Sequence, residues 1–236
     1  MAKAILLCGG QGTRLRPYTY SIPKPMLPLG SRPILQFVIE NMKRAGIDEI
    51  YLTVGYLKSQ IIEYFGSGEK FGVKLHYVSE EVEQNTAGST LPLSKEFDEP
   101  FVVGMGDHLS SIDIKEMLTF HKEKGGIATI GLKRQGVPLE YGIAEVKDGR
   151  ITSFREKPIL QNFVNAGVYV FDPKIFSYIK PREDFAKDVF PRLLADRHQL
   201  NAFIFDSYWL DIGRTTDYEQ LNQLISVIDL VAGKKL

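Results

Sequence analysis

Cysteine is almost absent from this sequence: Cys8 stands alone among 236 residues. One thiol closes no internal disulfide, which excludes a disulfide-stapled secreted scaffold and points to a reducing compartment. With no histidine near it in sequence, Cys8 reads as a small core residue and not as a nucleophile. A surplus of charge is missing too. Twenty-nine Lys and Arg balance 29 Asp and Glu, so no general field draws the chain to nucleic acid or to anionic lipid. Long apolar runs are also lacking. AILLC at 4–8 meets Gly9 and Gly10 at once, too soon for the core of a signal peptide, and nothing approaches the roughly eighteen apolar residues of a membrane span. The expectation is a cytoplasmic protein with neither a nucleic-acid nor a membrane partner.

What is present is an ordinary globular balance, 44% hydrophobic and 25% charged. A chain of this length can hide roughly 70–75% of its unfolded surface. Apolar runs alternate with helical patterns through the first half: strands at 4–8, 49–54, 73–78, 100–105 and 127–132, helices at 33–45, 58–65 and 113–124. Ile34, Leu35, Val38, Ile39 and Met42 form one helical face, and Gly46 is its stop. From about residue 136 the pattern turns to short strands around an Asp148-Gly149 hairpin turn. NAGVYVF at 165–171 reads as a further strand, and LNAFIFDSYWLDIG supplies more strand material. Residues 215–232 read as a helix with Leu221, Leu224, Ile225, Ile228 and Val231 on one face. That face docks on its own domain, with a homo-oligomer contact as the alternative. The fold class expected is α/β, a Rossmann-like, mainly parallel sheet flanked by helices, with small antiparallel additions in the second half. No linker divides the halves, so residues 1–236 read as one domain.

The first strand breaks into a glycine turn followed by cations. Gly9, Gly10 and Gly12 let the backbone approach an oxyanion closely, and Arg14 and Lys24 follow with almost no acid between them. Four prolines, Pro17, Pro23, Pro25 and Pro28, stiffen the segment that carries them. A Walker P-loop would need Lys and then Ser or Thr after the last glycine. The dinucleotide fingerprint would need glycine where Leu15 stands. A phosphate chain remains the fitting anion.

GGQGTRLRPYTYSIPKPMLPLG at 9–30 resembles the signature of the nucleotidyltransferases that join a nucleoside triphosphate to a sugar 1-phosphate, the mannose-1-phosphate guanylyltransferases and glucose-1-phosphate thymidylyltransferases among them. Five further motifs follow in order: QNTAGS at 84–89, GMGD at 104–107, FREKP at 154–158, NAGVYVF and YWLDIG at 208–213. The resemblance implies a GT-A-like nucleotidyltransferase fold, with the nucleotide bound by residues 1–135 and the sugar by 136–236. It implies Arg14 on the departing pyrophosphate and Lys24 near the α-phosphate. Gly9, Gly10, Gln11, Gly12 and Thr13 would bind the nucleotide, and Gln84, Thr86 and Gly88 its base, although the family more often has Leu-Gly where this chain has Gln84-Asn85. Gly142, Glu156, Lys157 and Asn165 would bind the sugar, and Asp107 and Asp211 a Mg²⁺ ion.

Each residue has a plainer reading. A lone Asp after a strand usually caps a turn, Glu156-Lys157 could be an exposed charge pair, and Gly142 and Asn165 a turn glycine and a strand-edge amide. The ordered set of motifs favours the functional reading, and carboxylates at strand ends suit an open α/β sheet. The four histidines show no metal-ligand spacing. His108 is either a substrate neighbour or an exposed loop residue, and Trp209 reads as packing that fixes Asp211. The substrates expected are a nucleoside triphosphate and a sugar 1-phosphate: mannose 1-phosphate with GTP first, glucose 1-phosphate with dTTP or UTP next. A regulatory relative would be expected to lose Arg14, Lys24 or an aspartate, and a glycosyltransferase to carry Asp-x-Asp, which does not occur here. Longer relatives carry a C-terminal β-helix of hexapeptide repeats or an acyltransferase domain, and no such repeat is seen in these 236 residues.

Overall fold

In the computed structural model, which describes residues 2–231, the first strand, β1 (Ala4–Cys8), sends alternate side chains to opposite faces of a sheet, as the period-2 geometry of a strand requires. The chain continues through β2 (Pro28–Leu29), β3 (Arg32–Pro33), α1 (Ile34–Arg44), β4 (Glu49–Val54), α2 (Lys58–Phe65), β5 (Lys74–Ser79), α3 (Asn85–Gly88), β6 (Phe101–Met105), β7 (His108–Ser110) and α4 (Ile114–Lys124). The second half adds β8 (Ala128–Pro138), β9 (Ile143–Lys147), β10 (Arg150–Arg155), β11 (Ile159–Phe171), α5 (Phe190–Ala195), β12 (Leu200–Phe205), β13 (Trp209–Asp211) and α6 (Thr215–Val231).

Seven strands form the main sheet in the order β12-β8-β11-β6-β1-β4-β5. Every neighbour pair is parallel except those of β11, which runs antiparallel to both β6 and β8. Both halves of the chain therefore share one sheet. Ala4, Leu6 and Cys8 pack with Leu35, Ile39 and Met42 of α1, Ile61 of α2 and Met117 of α4 on one face. Ile5 points the other way, into a layer built by Phe101, Phe171, Phe185, Phe190 and Leu193. A third cluster joins Leu15, Leu27 and Leu29 of the loop after β1 to Ile212 and Tyr218. That cluster fixes the glycine loop against the distant C-terminal segment.

The expected fold class is the one observed. β8 is longer than the sequence suggests because its outer half pairs with β11 beyond the buried sheet, where exposed residues carry little apolar signal. The hairpin at Asp148-Gly149 is present as β9–β10, with both turn residues at positive φ. The LNAFIFDSYWLDIG stretch divides between two sheets, β12 on the main one and β13 paired with β7. In α6, Leu221 and Ile225 pack on the third cluster, whereas Leu224 is 57% exposed and does not share their face. The side chains of Ile228 and Val231 and residue 232 lie outside the described residues. No helix among the described residues is long and apolar enough to cross a membrane.

Candidate active site

A cavity of about 360 Å³ opens where β1 ends, lined by Gly10, Gln11, Gly12, Thr13, Arg14, Lys24 and Asp107. Gly12 shapes it. Its φ is +62°, and a Cβ there would stand 3.0 Å from Thr19 Cγ2 and 3.1 Å from Lys24 Cβ. Only glycine accepts that conformation in that space. The turn closes with Leu15 N–H donating to Gly12 O at 2.9 Å and the Thr19 hydroxyl to the same oxygen at 2.8 Å. Arg14 remains exposed, with its guanidinium lying against Gly213, two residues past Asp211.

Lys24 is only 8% exposed. Its Nζ sits 2.6 Å from Asp107 Oδ2 and 3.2 Å from Asp211 Oδ1, bringing together three residues that the sequence separates widely. Asp107 follows β6, and Asp211 ends β13, which pairs with β7 in the register Asp211↔His108. His108 therefore belongs to a strand, not to an exposed loop. Its Nε2 lies 3.3 Å from Asp211 Oδ1 and 3.8 Å from Asp107 Oδ1, and its Nδ1 lies 3.2 Å from Ala166 O. Both ring nitrogens face acceptors, an arrangement that favours the doubly protonated ring. Burial opposes that charge, but the hydrogen bond to Asp211 and the fields of the two aspartates outweigh it and raise the His108 pKa. Asp211 shifts the other way: the His108 hydrogen bond, opposed by burial and aided by Lys24, holds it below the usual carboxylate range.

The support behind these groups is continuous. In β11 the register shifts between Asn165 and Tyr169. Asn165 Oδ1 accepts from Gly167 N–H at 3.0 Å, and its amide donates to the Tyr169 hydroxyl at 3.0 Å. The bulge presents Ala166 O, which takes both His108 and the Trp209 indole N–H, the latter at 2.9 Å. Trp209 thus anchors β13, and with it Asp211.

Two carboxylates converging on one cation suit a hard, oxygen-seeking metal ion, which typically takes one or two carboxylates and completes its shell with phosphate and water. Lys24 Nζ is the cation between them here. Among the described residues no group of three or more His, Cys, Asp or Glu side chains forms a complete metal cage. The donor set fits an ion shared with a phosphate.

A second cavity, about 200 Å³, adjoins the first, and Leu7, Gly10, Glu83 and Asp107 line both. Thr86 and Asn85 belong to its wall. Asn85 adopts φ +58°, a left-handed conformation that Asn tolerates better than most residues, so its departure from the glycine of the resembled motif keeps the backbone path. The Thr86 hydroxyl donates to Asp184 Oδ2 at 2.8 Å and accepts from Phe185 N–H at 2.9 Å. Gln84 is engaged likewise, accepting from Arg182 N–H and donating to Val82 O, both at 3.3 Å. A Cβ on Gly88 would meet Arg182 N at 2.6 Å. These residues clamp the 182–185 loop onto the cavity wall. Glu80, Glu83, Thr53 and Asp184 also line this cavity. Sequence reasoning missed them, although Glu80 directly follows β5 and the strand-end rule could have found it.

Gly142, Glu156, Lys157 and Asn165 line neither cavity. Gly142 and Glu156 do come together across the hairpin base: a Cβ on Gly142 would lie 2.6 Å from Glu156 Oε2. Glu156 and Lys157 are exposed, the latter with φ +41°.

The sequence is similar to known proteins across nearly all of its length. It is 36% identical to a UTP–glucose-1-phosphate uridylyltransferase of Synechocystis over 92% of this chain and 62% of that protein. It is also 36% identical to the mannose-1-phosphate guanylyltransferase catalytic subunit beta of Dictyostelium discoideum, with the same coverage. The chain thus spans 62% of the length of these curated relatives. The crystal structure of a putative glucose-1-phosphate thymidylyltransferase from Bacillus anthracis, in complex with a sucrose, superposes with a TM-score of 0.76 at 26% identity, covering 95% of each chain. The sequence profile of the nucleotidyl transferases matches residues 3–226, and the chain belongs to that family.

Proposed function

We propose that this protein transfers a nucleotidyl group from a nucleoside triphosphate to a sugar 1-phosphate, releasing pyrophosphate. The observation that carries the reading is the convergence of Lys24, Asp107 and Asp211 beside the glycine loop. GTP and mannose 1-phosphate are the first pair, favoured by the guanylyltransferase relatives at about 35% identity. Glucose 1-phosphate with UTP or dTTP is the second, in keeping with the uridylyltransferase and thymidylyltransferase relatives.

The chemistry asks for charge control. A sugar 1-phosphate is largely dianionic near neutral pH, its second pKa being about 6, so its oxygen needs no general base. That oxygen attacks the α-phosphorus, a new P–O bond forms, and the bond to the bridging oxygen of the β-phosphate breaks with its electron pair leaving on pyrophosphate. The barrier is repulsion between two anions, which preorganised cations and N–H groups lower. The amides of Gly10 to Thr13 and the Arg14 guanidinium hold the departing pyrophosphate, with Gly9 and Gln11 part of the same loop. Lys24 neutralises charge at the α-phosphate. Asp107 and Asp211 would hold Mg²⁺, which when bound supplies further positive charge to the phosphates. Gln84, Thr86 and Gly88 shape the nucleotide cavity through the clamp on the 182–185 loop. Glu156 engages sugar hydroxyls from the hairpin base, with Gly142 making room, Lys157 facing the sugar phosphate and Asn165 setting the β11 bulge. Residues 1–236 act as one domain, the nucleotide held by 1–135 and the sugar by 136–236. The buried single cysteine supports a cytoplasmic, reducing setting.

A pyrophosphate-release screen of five nucleoside triphosphates against several sugar 1-phosphates tests this reading. Release that requires both substrates, fastest with GTP and mannose 1-phosphate, is expected. No release with any pair would overturn it.

A further inference from the structure

The transfer chemistry leaves His108 without a part, although the fold builds a seat for it beside the two aspartates. The ring is fixed from behind. Its Nδ1 lies 3.2 Å from Ala166 O, the carbonyl that also accepts the Trp209 indole N–H at 2.9 Å. The Trp209 ring meets it edge to face, with centroids 5.9 Å apart and planes at 84°. On another side it rests on Gly167, whose φ is +69°, and a Cβ there would stand 2.9 Å from His108 Nδ1 and 3.0 Å from Cε1. Glycine at 167 is what leaves the ring its place. Only 16% of the His108 side chain is exposed, and it lines neither the phosphate-loop cavity nor the adjoining one.

The front of the ring faces the acids. Nε2 lies 3.3 Å from Asp211 Oδ1 and 3.8 Å from Asp107 Oδ1, and the short ladder sets His108 directly opposite Asp211. Lys24 Nζ reaches the same Oδ1 of Asp211 at 3.2 Å. Two donors thus share one carboxylate oxygen, but they differ in what else they can do. Lys24 ends a flexible stem in the wall of the phosphate cavity, and an ion held by the same carboxylates would take its place between them. The imidazole is short, anchored on Ala166 O and packed away from the phosphates.

We propose that His108 is a positioning residue of the transfer: it keeps Asp211 in line with Asp107 once Lys24 has left the pair for the α-phosphate. The inference rests on the nucleotidyl-transfer reading and adds to it a residue that touches neither substrate. A carboxylate that binds a metal ion is itself aimed by a hydrogen-bond donor beside it. Losing such a donor typically costs about 10–100-fold in activity or metal affinity. Asp211 needs that donor more than Asp107 does, because it stands on a ladder of three residues whereas Asp107 follows a strand of the main sheet. The support runs from Ala166 in β11 through the ring to Asp211, so the bulge that Asn165 sets also fixes the metal side.

The test measures kcat and both KM values of His108→Leu and His108→Gln, with Mg²⁺ and the substrate pair that the screen above finds fastest. Leucine removes the donor, whereas glutamine keeps an N–H at about the reach of Nε2. The leucine variant is expected to lose about 10–100-fold in kcat with both KM values near those of the wild type. Glutamine is expected to recover most of that loss. A wild-type kcat in His108→Leu, a raised KM with kcat kept, or a glutamine variant no better than the leucine one overturns the proposal. A crystal structure of Lys24→Met gives a readout independent of turnover, because that variant mimics the departed ammonium. Asp211 is expected to keep its place within about 3.5 Å of His108 Nε2, and an Asp211 turned away from the ring overturns the proposal. That structure decides whether or not the His108 variants fold. It decides also if no transfer is seen with any substrate pair, in which case only the reaction assigned above falls.

Discussion

Lys24 is the residue on which the site turns. Its ammonium is nearly buried and bridges two carboxylates that would otherwise repel each other. Removing one partner of such a cluster leaves the other charges uncompensated. Lys24→Met is therefore expected to lower turnover by at least about 10²-fold. Because the freed carboxylates gain more from a divalent ion than the paired ones do, added Mg²⁺ should raise the melting temperature of Lys24→Met more than that of the wild type. Equal shifts in the two proteins would mean that lysine and metal do not share these ligands. At this scale the sequence was informative about identity but not about partnership. The resemblance of its motifs to those of the nucleotidyltransferases marked Lys24, Asp107 and Asp211. It left open whether His108 joins them or sits in an exposed loop, because that contact depends on β13 pairing with β7, a three-residue ladder with no periodicity to read. Glu80 was hidden for a different reason: it sits in a run of acids at 80, 81 and 83, which reads as solvated surface.

Elements position these residues, and their junctions are where substitutions should be felt. The contact between α3 and the 182–185 loop adds backbone bonds to the side-chain ones, with Ala87 and Gly88 N–H both donating to Glu183 O at 3.0 Å. Gly88→Ala would drive a methyl into Arg182 N. A destabilisation of about 1–3 kcal/mol is expected from overpacking, read as a lower urea midpoint, together with weaker nucleotide binding. Unchanged binding would separate the loop from the cavity. α4 offers a pH test. His121 is buried and its Nδ1 lies 2.8 Å from the Thr129 hydroxyl, while burial, opposed by Asp172, lowers its pKa. The folded protein thus favours neutral His121 and the unfolded chain binds the proton first. This contribution is present above the unfolded value of 6.5 and is lost as pH falls below it. Urea midpoints at pH 7.5 and 5.5 should show this loss, and His121→Gln should reduce it. Helices α1, α2 and α4 were legible from their apolar faces. α3, four residues long, and the π-helical turn Phe185–Val189 before α5 were not, since neither spans enough turns to show a period.

Across the whole molecule the fold brings the two ends of the chain to one place. Leu15, Leu27 and Leu29 from the glycine loop pack with Ile212 and Tyr218, and the Tyr218 hydroxyl donates to Pro28 O at 2.8 Å. The cation-bearing loop is therefore held by the segment that carries Asp211. Ile212 is fully buried, so Ile212→Ala should cost about 2–5 kcal/mol and lower activity, with both substrates still bound once the protein is folded. The parallel order of the sheet was legible from alternating strands and helices. The reversal at β11 was not, because direction is set by pairing partners far apart in sequence.

The central claim is that transfer depends on neutralising phosphate charge at the Lys24–Asp107–Asp211 centre. Its most direct test is the rate of pyrophosphate release from GTP and mannose 1-phosphate against free Mg²⁺, in the wild type and in Asp211→Asn. The account predicts that the wild-type rate falls to background after exhaustive chelation and returns saturably with Mg²⁺. It predicts that the variant, folded and nearly as stable, needs more Mg²⁺ and reaches a maximum lower by about 10²-fold or more. A wild-type rate undiminished by chelation, or a variant with the wild-type Mg²⁺ response, would contradict it.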